Sequence, residues 1–220
     1  DGCEWHRRSK RGLPFFCASL FNQKNDVMKR LAIVGAGGFG REVAQLAEVI
    51  NSKSNSDLTV AGFFDDDHST HGQSLLGYPV VGDSAALASG DAGEADAYVL
   101  AIGSGQARRR LFDTMAISAL RPATLIHPSV DAHRSVIVGP GSVVCNGTAL
   151  TVDIHIGPHV VVNLSSTIGH DVEVEAFTTL HPGTHISGNV HIGKACELGT
   201  GATVLPGIRI GAEATVGAGA

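Results

Sequence analysis

The chain has 220 residues, which is room for one or two domains, and its 43% hydrophobic and 17% charged residues are not the composition of a disordered chain. Lys and Arg total 16 against 21 Asp and Glu, which gives a net charge of −5. The chain therefore lacks the excess of basic residues that binding to nucleic acid or an anionic membrane would favour. No apolar run is long enough for a transmembrane helix, so we expect no membrane insertion.

Residues 1–27 differ from everything that follows. They carry a basic run, His6–Arg11, and a short apolar piece around Phe15–Cys17 that is too interrupted for a typical secretory signal. A clean strand pattern starts directly after Met28. We therefore expect a disordered tail or a stretch upstream of the true start at Met28, with a targeting peptide as the less favoured alternative. A chain starting at Met28 should melt as the full chain does.

Residues 28–122 predict a small Rossmann-like α/β domain, because apolar strand runs alternate with helical spacing, which indicates a parallel sheet. The predicted elements, in chain order, are a strand at Leu31–Val34, a helix at Arg41–Ile50, strands at Leu58–Phe64 and Ala97–Ile102, and a helix carrying Arg108, Arg109 and Arg110.

A glycine-rich turn, Gly35–Gly40, follows the first strand and satisfies the pattern G-x-G-x-x-G. Glycines let a backbone approach phosphate, and the N-terminus of the following helix favours an anion. Asp65 or Asp66, at the end of the second strand, could hold a ribose or a base. Taken alone, the pattern would also fit a dinucleotide site, but the domain is short and has no obvious hydride-transfer residues, so an NAD-dependent oxidoreductase is the weaker choice.

Residues 123–220 contain an internal repeat, the strongest signal in the chain. Every sixth residue from Ile126 to Val216 is aliphatic without a slip, and the next residue is often Gly or small and polar. A helix needs a spacing near 3.6 and an alternating strand a spacing of 2, so a period of six predicts a parallel β-helix of short stacked strands. The aliphatic positions are Ile126, Ala132, Val138, Val144, Leu150, Ile156, Val162, Ile168, Val174, Leu180, Ile186, Ile192, Leu198, Val204, Ile210 and Val216.

This repeat resembles the left-handed β-helix of hexapeptide acyltransferases, in which residues 18 apart stack in one column. From about Lys29 to Ala220 the chain resembles one subfamily, the sialic acid O-acetyltransferase and UDP-amino-sugar (bacillosamine) N-acetyltransferase group. The motifs that carry the resemblance are Val34–Gly40, Phe64–Asp66, Ala101–Gly103, Ile126–Ser129 and, most specifically, Asn163–Asp171.

The resemblance implies an enzyme that moves an acetyl group from acetyl-CoA to an amine or hydroxyl of a sugar. In it His170 is the general base, and Asp171 is the acidic residue that raises its basicity. A histidine suits proton removal at neutral pH. Asn163 matches a substrate-pocket position. Gly188, one coil above His170, matches a backbone amide near the thioester carbonyl, where an N–H stabilises the oxyanion.

The resemblance also assigns acetyl-CoA contacts, mainly through backbone, to Thr179, Thr200 and Ala218. Relatives often have His at the position of Thr179. Here His181 follows two residues later and flanks the inward Leu180 from the other side, so it can replace the missing contact. A solvent-exposed histidine is the alternative for His181.

The α/β domain is implied to bind a nucleotide sugar, and the protein is implied to be a cytoplasmic homotrimer with active sites between subunits. The residues assigned to the nucleotide sugar are Gly35, Gly37, Gly38, Asp65, Asp66 and Gly103. The sequence does not reveal the acceptor sugar, the choice between amine and hydroxyl, or the acyl length.

Two other interpretations keep the β-helix. A γ-type carbonic anhydrase needs three zinc-binding histidines; His155 and His191 have the spacing of two, but position 196 is Cys. The four cysteines form no Cys-x-x-Cys pair, so we expect reduced thiols and no metal. A non-catalytic binding or scaffold surface is the second alternative, although a scaffold needs no His-Asp pair.

The repeat stops at Ala220 in the middle of a motif, whereas the family continues with a segment that caps the coil and covers the pantetheine arm. We therefore expect a longer natural protein, and a 220-residue chain that trimerises but binds CoA weakly.

Overall fold

The computed structural model describes residues 30–54, 57–91 and 94–220. The predictions made for residues 1–27 fall outside this range.

The first part of the chain is a parallel sheet with helices on both faces. The strand order is β3-β4-β2-β1-β5-β6, and only the β3–β4 pair is antiparallel. The strands are β1 Arg30–Val34, β2 Thr59–Phe64, β3 Ser74–Leu75, β4 Tyr78–Gly82, β5 Ala97–Leu100 and β6 Arg121–Pro122; the helices are α1 Gly38–Ser54, α2 Ser84–Ser89 and α3 Gly105–Met115, with a 3₁₀ turn at His68–Thr70.

Strand β1 lies at the centre of this sheet because its side chains are apolar on both sides. Leu31 and Ile33 pack into the core cluster that also holds Val43 of α1. Ala32 and Val34 face the opposite cluster, with residues of α2 and α3. A strand buried on both faces is typical of a parallel sheet covered by helices. Helix α1 begins at Gly38, inside the glycine motif and earlier than the sequence predicted.

The second part is a parallel β-helix, as the six-residue period predicted, of the left-handed kind that the family resemblance implied. Its two-residue strands form three parallel sheets, and each strand pairs with strands 18 residues away, as Val161 does with Val143 and Thr179. The strands are β7 Leu125–Ile126, β8 Ile137–Val138, β9 Val143–Val144, β10 Ala149–Leu150, β11 His155–Ile156, β12 Val161–Val162, β13 Thr167–Ile168, β14 Glu173–Val174, β15 Thr179–Leu180, β16 His185–Ile186, β17 His191–Ile192, β18 Glu197–Leu198, β19 Thr203–Val204, β20 Arg209–Ile210 and β21 Thr215–Val216.

The three sheets are numbered in the order in which each coil from β9 onward enters them. Sheet 1 contains β7, β9, β12, β15, β18 and β21; sheet 2 contains β10, β13, β16 and β19; sheet 3 contains β8, β11, β14, β17 and β20.

The core of the β-helix is a stack of aliphatic side chains, one from each strand, with buried hydroxyls near the corners. Ser142 Oγ donates to the carbonyl of Gly157 at 2.8 Å, and Thr178 Oγ1 donates to the carbonyl of Gly193 at 2.9 Å. These bonds satisfy hydroxyls that would otherwise be costly to bury.

The corners share one backbone feature that the sequence did not mark. Every sixth residue from Gly141 to Gly219 has a positive φ, whatever its type; Asp153, His159 and Phe177 are examples. Left-handed conformations disfavour residues other than Gly. The β-helix accommodates these residues because its corners are held by hydrogen bonds to the preceding coil. One example is Phe177 N–H, which donates to Pro158 O at 3.0 Å.

The α/β part packs against sheet 1. Val143 and Cys145 of β9 and its corner belong to the same apolar cluster as Leu31 and Val43. Within the described residues, no helix has the length and apolarity that a membrane span requires.

Candidate active site

His170 and Asp171 lie at the corner that joins β13 of sheet 2 to sheet 3. His170 Nδ1 is 2.8 Å from Asp171 Oδ2, and both side chains are more than half exposed. A carboxylate can only accept, so Nδ1 carries the proton of a neutral imidazole and Nε2 keeps its lone pair. The pair therefore presents a proton acceptor to solvent, with its tautomer set by Asp171.

Gly188 packs directly against the His170 ring from the next coil. A Cβ added to Gly188 would lie 2.5 Å from Nε2 and 2.6 Å from Cε1 of His170. The backbone of this coil is fixed, because Asn189 N–H donates to the carbonyl of His170 at 2.9 Å. Only glycine leaves room here for the imidazole, so the two residues predicted 18 positions apart do meet.

A second group of predicted residues lies at the neighbouring corner, between sheets 1 and 2. Asn163 and His181 stack one coil apart, and their backbone N–H groups donate to Leu180 O and Leu198 O, each at 2.9 Å. Asn163 Oδ1 accepts the N–H of Leu164 at 2.7 Å. In the next two coils of this corner, Thr200 and Ala218 each lie one residue beyond the position that stacks on His181, and both are exposed.

Sheet 2 lies between this corner and the His170 corner. Its outward side chains include Thr167 and His185, which share a hydrogen bond of 3.0 Å. The fold thus brings Asn163, His181 and His170 to two adjacent edges of one face.

Thr179, for which a cofactor contact mainly through backbone was expected, has its side chain at the joint between the two parts of the molecule. Its side chain points out of sheet 1 but is covered by the α/β part, leaving 1% exposed. Its hydroxyl donates to Gly103 O at 2.7 Å and accepts from Arg108 Nη1 at 2.9 Å. The Thr179 side chain therefore joins the two parts of the molecule, whereas His181, across Leu180, remains partly exposed.

The glycines of the predicted nucleotide loop divide into two kinds. Gly35 has a φ of +114° and Gly40 packs onto the carbonyl of Gly35, so a side chain at either would collide with backbone. A Cβ at Gly37, Gly38 or Gly103 would meet nothing within 4 Å. The first two glycines are needed by the turn, and the other three border open space that a ligand can use.

Asp65 and Asp66 both accept backbone N–H groups. Asp65 Oδ2 accepts from Ala36 at 2.7 Å and Oδ1 from Asp67 at 2.9 Å, while Asp66 Oδ1 accepts from Ser84, the first residue of α2, at 3.0 Å. Asp65 thereby orders the glycine loop itself, a role that the sequence analysis did not anticipate.

Arg108 is a residue that the sequence analysis named but gave no role. It is 1% exposed, and burial lowers the pKa of its guanidinium to about 10. The available signal was the helical spacing of Gly105, Arg108 and Phe112, which gives α3 one face toward the β-helix.

His159 was also missed. Its ring stacks on Phe177 with centroids 5.3 Å apart and is 2% exposed, and within the described residues its Nδ1 has no hydrogen-bond partner. Burial, with the nearby charge of Arg108, lowers the pKa of His159 to about 4. It is therefore a neutral core residue at the joint between the two parts.

The two histidines considered for zinc, His155 and His191, lie two coils apart on β11 and β17 of sheet 3. Residues 30–54, 57–91 and 94–220 contain no cluster of three His, Cys, Asp or Glu that could hold a metal ion. His191 Nε2 lies 3.1 Å from Glu175 Oε1, and Cys196 is wholly buried, with its thiol donating to Gly211 O at 3.0 Å.

Residues 30–115 match the family described as the PglD N-terminal domain. Among solved structures, the chain is similar to perosamine N-acetyltransferase from Caulobacter crescentus, determined as a histidine mutant in complex with CoA and GDP-perosamine. The TM-score is 0.78 and the identity 32%, over 86% of each chain.

Two curated proteins are also similar. GDP-perosamine N-acetyltransferase of Escherichia coli O157:H7 is 27% identical over 148 residues, 67% of this chain and 65% of that protein. UDP-N-acetylbacillosamine N-acetyltransferase of Bacillus subtilis strain 168 is 32% identical over 118 residues, 53% of this chain and 51% of that protein. The chain thus spans between half and two thirds of the curated relatives it matches.

Proposed function

Because the chain belongs to the family of hexapeptide-repeat sugar acetyltransferases that includes the perosamine and bacillosamine N-acetyltransferases, we propose that it transfers an acetyl group from acetyl-CoA to the amine of a nucleotide-linked amino sugar. The observation that carries the proposal is the His170–Asp171 pair, with its Nε2 facing Gly188 across the coil boundary. The names of the relatives favour an amine over the hydroxyl that the sequence left open.

In the proposed reaction the sugar nitrogen attacks the thioester carbonyl carbon, and Nε2 of His170 takes the proton that the nitrogen loses. The resulting tetrahedral oxyanion is stabilised by the backbone N–H of Gly188. The C–S bond then breaks, the electron pair leaves with sulfur, and the imidazolium returns the proton to the CoA thiolate. The products are the N-acetylated sugar and free CoA thiol, so protons and electrons balance.

Asp171 has two roles in this scheme. Its carboxylate holds Nδ1–H, which keeps the Nε2 lone pair available, and its charge stabilises the imidazolium that forms when Nε2 accepts the proton. The left-handed backbone at Asp171, with a φ of 56°, turns the carboxylate back toward the preceding histidine's ring.

The substrates are assigned to the two ends of the site. The nucleotide occupies the open space beside Gly37, Gly38 and Gly103, and the sugar reaches Asn163. Acetyl-CoA lies along the corner that carries His181, Thr200 and Ala218, with Thr179 able to contribute backbone only. The name of one relative specifies a GDP-linked sugar and that of the other a UDP-linked sugar, so the test includes both guanine and uracil nucleotides.

We further propose that the working enzyme is a homotrimer with each site between two subunits. The His170 pair is more than half exposed in a single chain, which leaves an open side that a neighbouring subunit can cover. Light scattering tests this: a mass near three chains is expected, and a stable monomer that turns over fully contradicts it.

The decisive assay measures free thiol when the purified chain is mixed with acetyl-CoA and GDP-perosamine, a UDP-linked amino sugar, or sialic acid. Thiol release with a nucleotide-linked amino sugar, abolished by His170→Ala, is expected. Release with sialic acid alone would redirect the function to O-acetylation, and no release with any acceptor would contradict the proposal.

A further inference from the structure

The Arg108 side chain of α3 is bonded on every side at the joint between the α/β part and the β-helix. Its five N–H groups make six hydrogen-bond contacts, so the two hydrogens of Nη1 serve three acceptors between them. They run from Nε to His159 O (3.0 Å), from Nη1 to Ile102 O (2.7 Å), Gly103 O (2.8 Å) and Thr179 Oγ1 (2.9 Å), and from Nη2 to Phe177 O (2.8 Å) and Thr178 O (3.1 Å).

All six acceptors are neutral oxygens. Glu197 acts on Arg108 only at longer range, and its carboxylate instead accepts the N–H of Gly105 at 3.3 Å. Burying a cation without an ion pair is costly unless its hydrogen bonds are satisfied. Only the planar fork of a guanidinium can reach this set of oxygens, so the geometry is specific to arginine.

The acceptors belong to two separate places. Ile102 and Gly103 form the loop after β5, whose open side borders the proposed nucleotide site. The other four acceptors lie on two coils of the β-helix, and the last of them, Thr179, is two residues from His181. One side chain therefore links the wall of the proposed nucleotide site to sheet 1, one corner away from the sheet 2 face that joins His181 to His170.

The rest of α3 is docked in a way that leaves little freedom. A Cβ at Gly105 would collide with the carbonyl of Phe177, so the start of the helix touches the β-helix backbone. Phe112, on the same face, lies 5.7 Å from Phe177 between ring centroids. Arg108 is the polar centre of this contact.

We propose that Arg108 is a positioning residue for the transfer reaction: it fixes the Ile102–Gly103 loop against the coil of β15, so that a sugar anchored by its nucleotide is delivered to His170. This role rests on the proposed function. It acts through geometry, because Arg108 is buried away from both substrates. A misplacement of about 1 Å in such an arrangement costs on the order of 10²-fold in rate.

The test compares anchored and unanchored acceptors. Arg108→Met keeps the volume and removes the hydrogen bonds; Arg109→Met, at the exposed neighbour on the same helix, is the matched control. With GDP-perosamine, or the UDP-linked amino sugar if that is the better acceptor, kcat/KM should fall on the order of 10²-fold for Arg108→Met. With the free amino sugar, which has no nucleotide to anchor it, kcat/KM should stay at the wild-type value. Equal losses on both acceptors would overturn the proposal in favour of a general effect on folding.

Thr179→Val provides a second, milder variant that retains the buried charge and the side-chain shape. It removes the hydroxyl bonded to both Arg108 and Gly103, so the same selective loss should appear with a smaller size. Arg108→Lys should cause an intermediate loss of kcat/KM with the nucleotide-linked acceptor, because the charge is retained but the planar guanidinium is lost.

Hydrogen exchange gives a readout that does not depend on acetyl transfer. In Arg108→Met and Thr179→Val, peptides covering residues 101–105 should exchange faster, while peptides covering β16 and β19 keep their protection. Unchanged exchange at 101–105 would show that Arg108 does not fix this loop, even if the enzyme is active. Absence of any acetyl transfer by the wild-type chain would instead refute the proposed function, and the exchange result alone would then decide whether Arg108 fixes the loop.

Discussion

The backbone of Gly188 lies against the imidazole of His170, so close that a single methyl group placed there would stand 2.5 Å from Nε2. Gly188 has no positive φ that forbids alanine, so Gly188→Ala should fold normally and push the ring away from the attacking nitrogen. We expect kcat to fall with little change in the melting temperature. Gly211→Ala, where a Cβ meets nothing within 4 Å, is the control and should keep full activity.

Replacing His170 tests the base directly. His170→Ala should lower kcat by roughly 10²–10⁴-fold, which is the usual contribution of a general base. The affinity for acetyl-CoA, measured by calorimetry, should change little because the imidazole acts on the acceptor. An alanine variant with near-wild-type turnover would end this mechanism.

Asp171→Asn separates orientation from charge. The amide oxygen can still accept from Nδ1, so the loss of rate should be smaller than for His170→Ala. Without the carboxylate, the imidazolium that forms during transfer loses a stabilising charge, so kcat should still fall below the wild-type value. Turnover at saturating substrate measures this, and a wild-type kcat in Asp171→Asn would show that Asp171 has no electrostatic role.

The glycine loop offers a paired test of ligand binding against folding. Gly37→Val should weaken binding of a nucleotide sugar and leave both acetyl-CoA binding and the melting temperature intact, because the site beside Gly37 is open. Gly40→Ala should lower the melting temperature, since its Cβ would collide with the carbonyl of Gly35. Binding of NADH in place of nucleotide sugars, measured by calorimetry, would revive the oxidoreductase alternative.

How far the sequence could predict the molecule depends on whether the relevant contact repeats. Val162, Leu180 and Leu198 each occupy the same place in successive coils, so the period alone predicted the β-helix. The 18-residue column that the family resemblance implied then predicted the stacking of Gly188 on His170. Regular geometry makes distant residues predictable neighbours.

Contacts between the two parts have no such period. Within the run of three arginines, only the helical spacing of Arg108 with Gly105 and Phe112 separates it from the exposed Arg109, and that spacing does not say which surface the face packs against. Asp65 sits where a ribose ligand was expected, yet its carboxylate is bonded to the Ala36 N–H, a contact that only the folded loop creates. These roles depend on docking, which a single sequence does not encode in a local pattern.

His159 makes the joint sensitive to acid. Its pKa in the folded chain is about 4, against about 6.5 when unfolded, so between these values the unfolded chain binds more protons. Stability should therefore be lost as the pH falls from about 6.5 toward 4, by a few kcal/mol at roughly 1.4 kcal/mol per pKa unit. Thermal unfolding at several pH values measures this loss.

The control for this effect is His159→Phe. Phe177 occupies the equivalent corner one coil later with a similar positive φ, so the ring and backbone are compatible. The variant should lose less stability than the wild type over the same pH range. Parallel curves for the two proteins would mean that His159 is not the titrating group.

The 18-residue coil sets the steps in which this molecule can change length. Sheet 1 receives α3 and Arg108, while the corner after sheet 2 carries His170, so each function belongs to one side of a triangular prism. Removing or adding a whole coil keeps every later residue on its own side. Removing a single hexad between Arg108 and His170 would rotate all later coils by one side, and a chain with an intact aliphatic core would then carry the His170–Asp171 pair on a different edge relative to the α/β part.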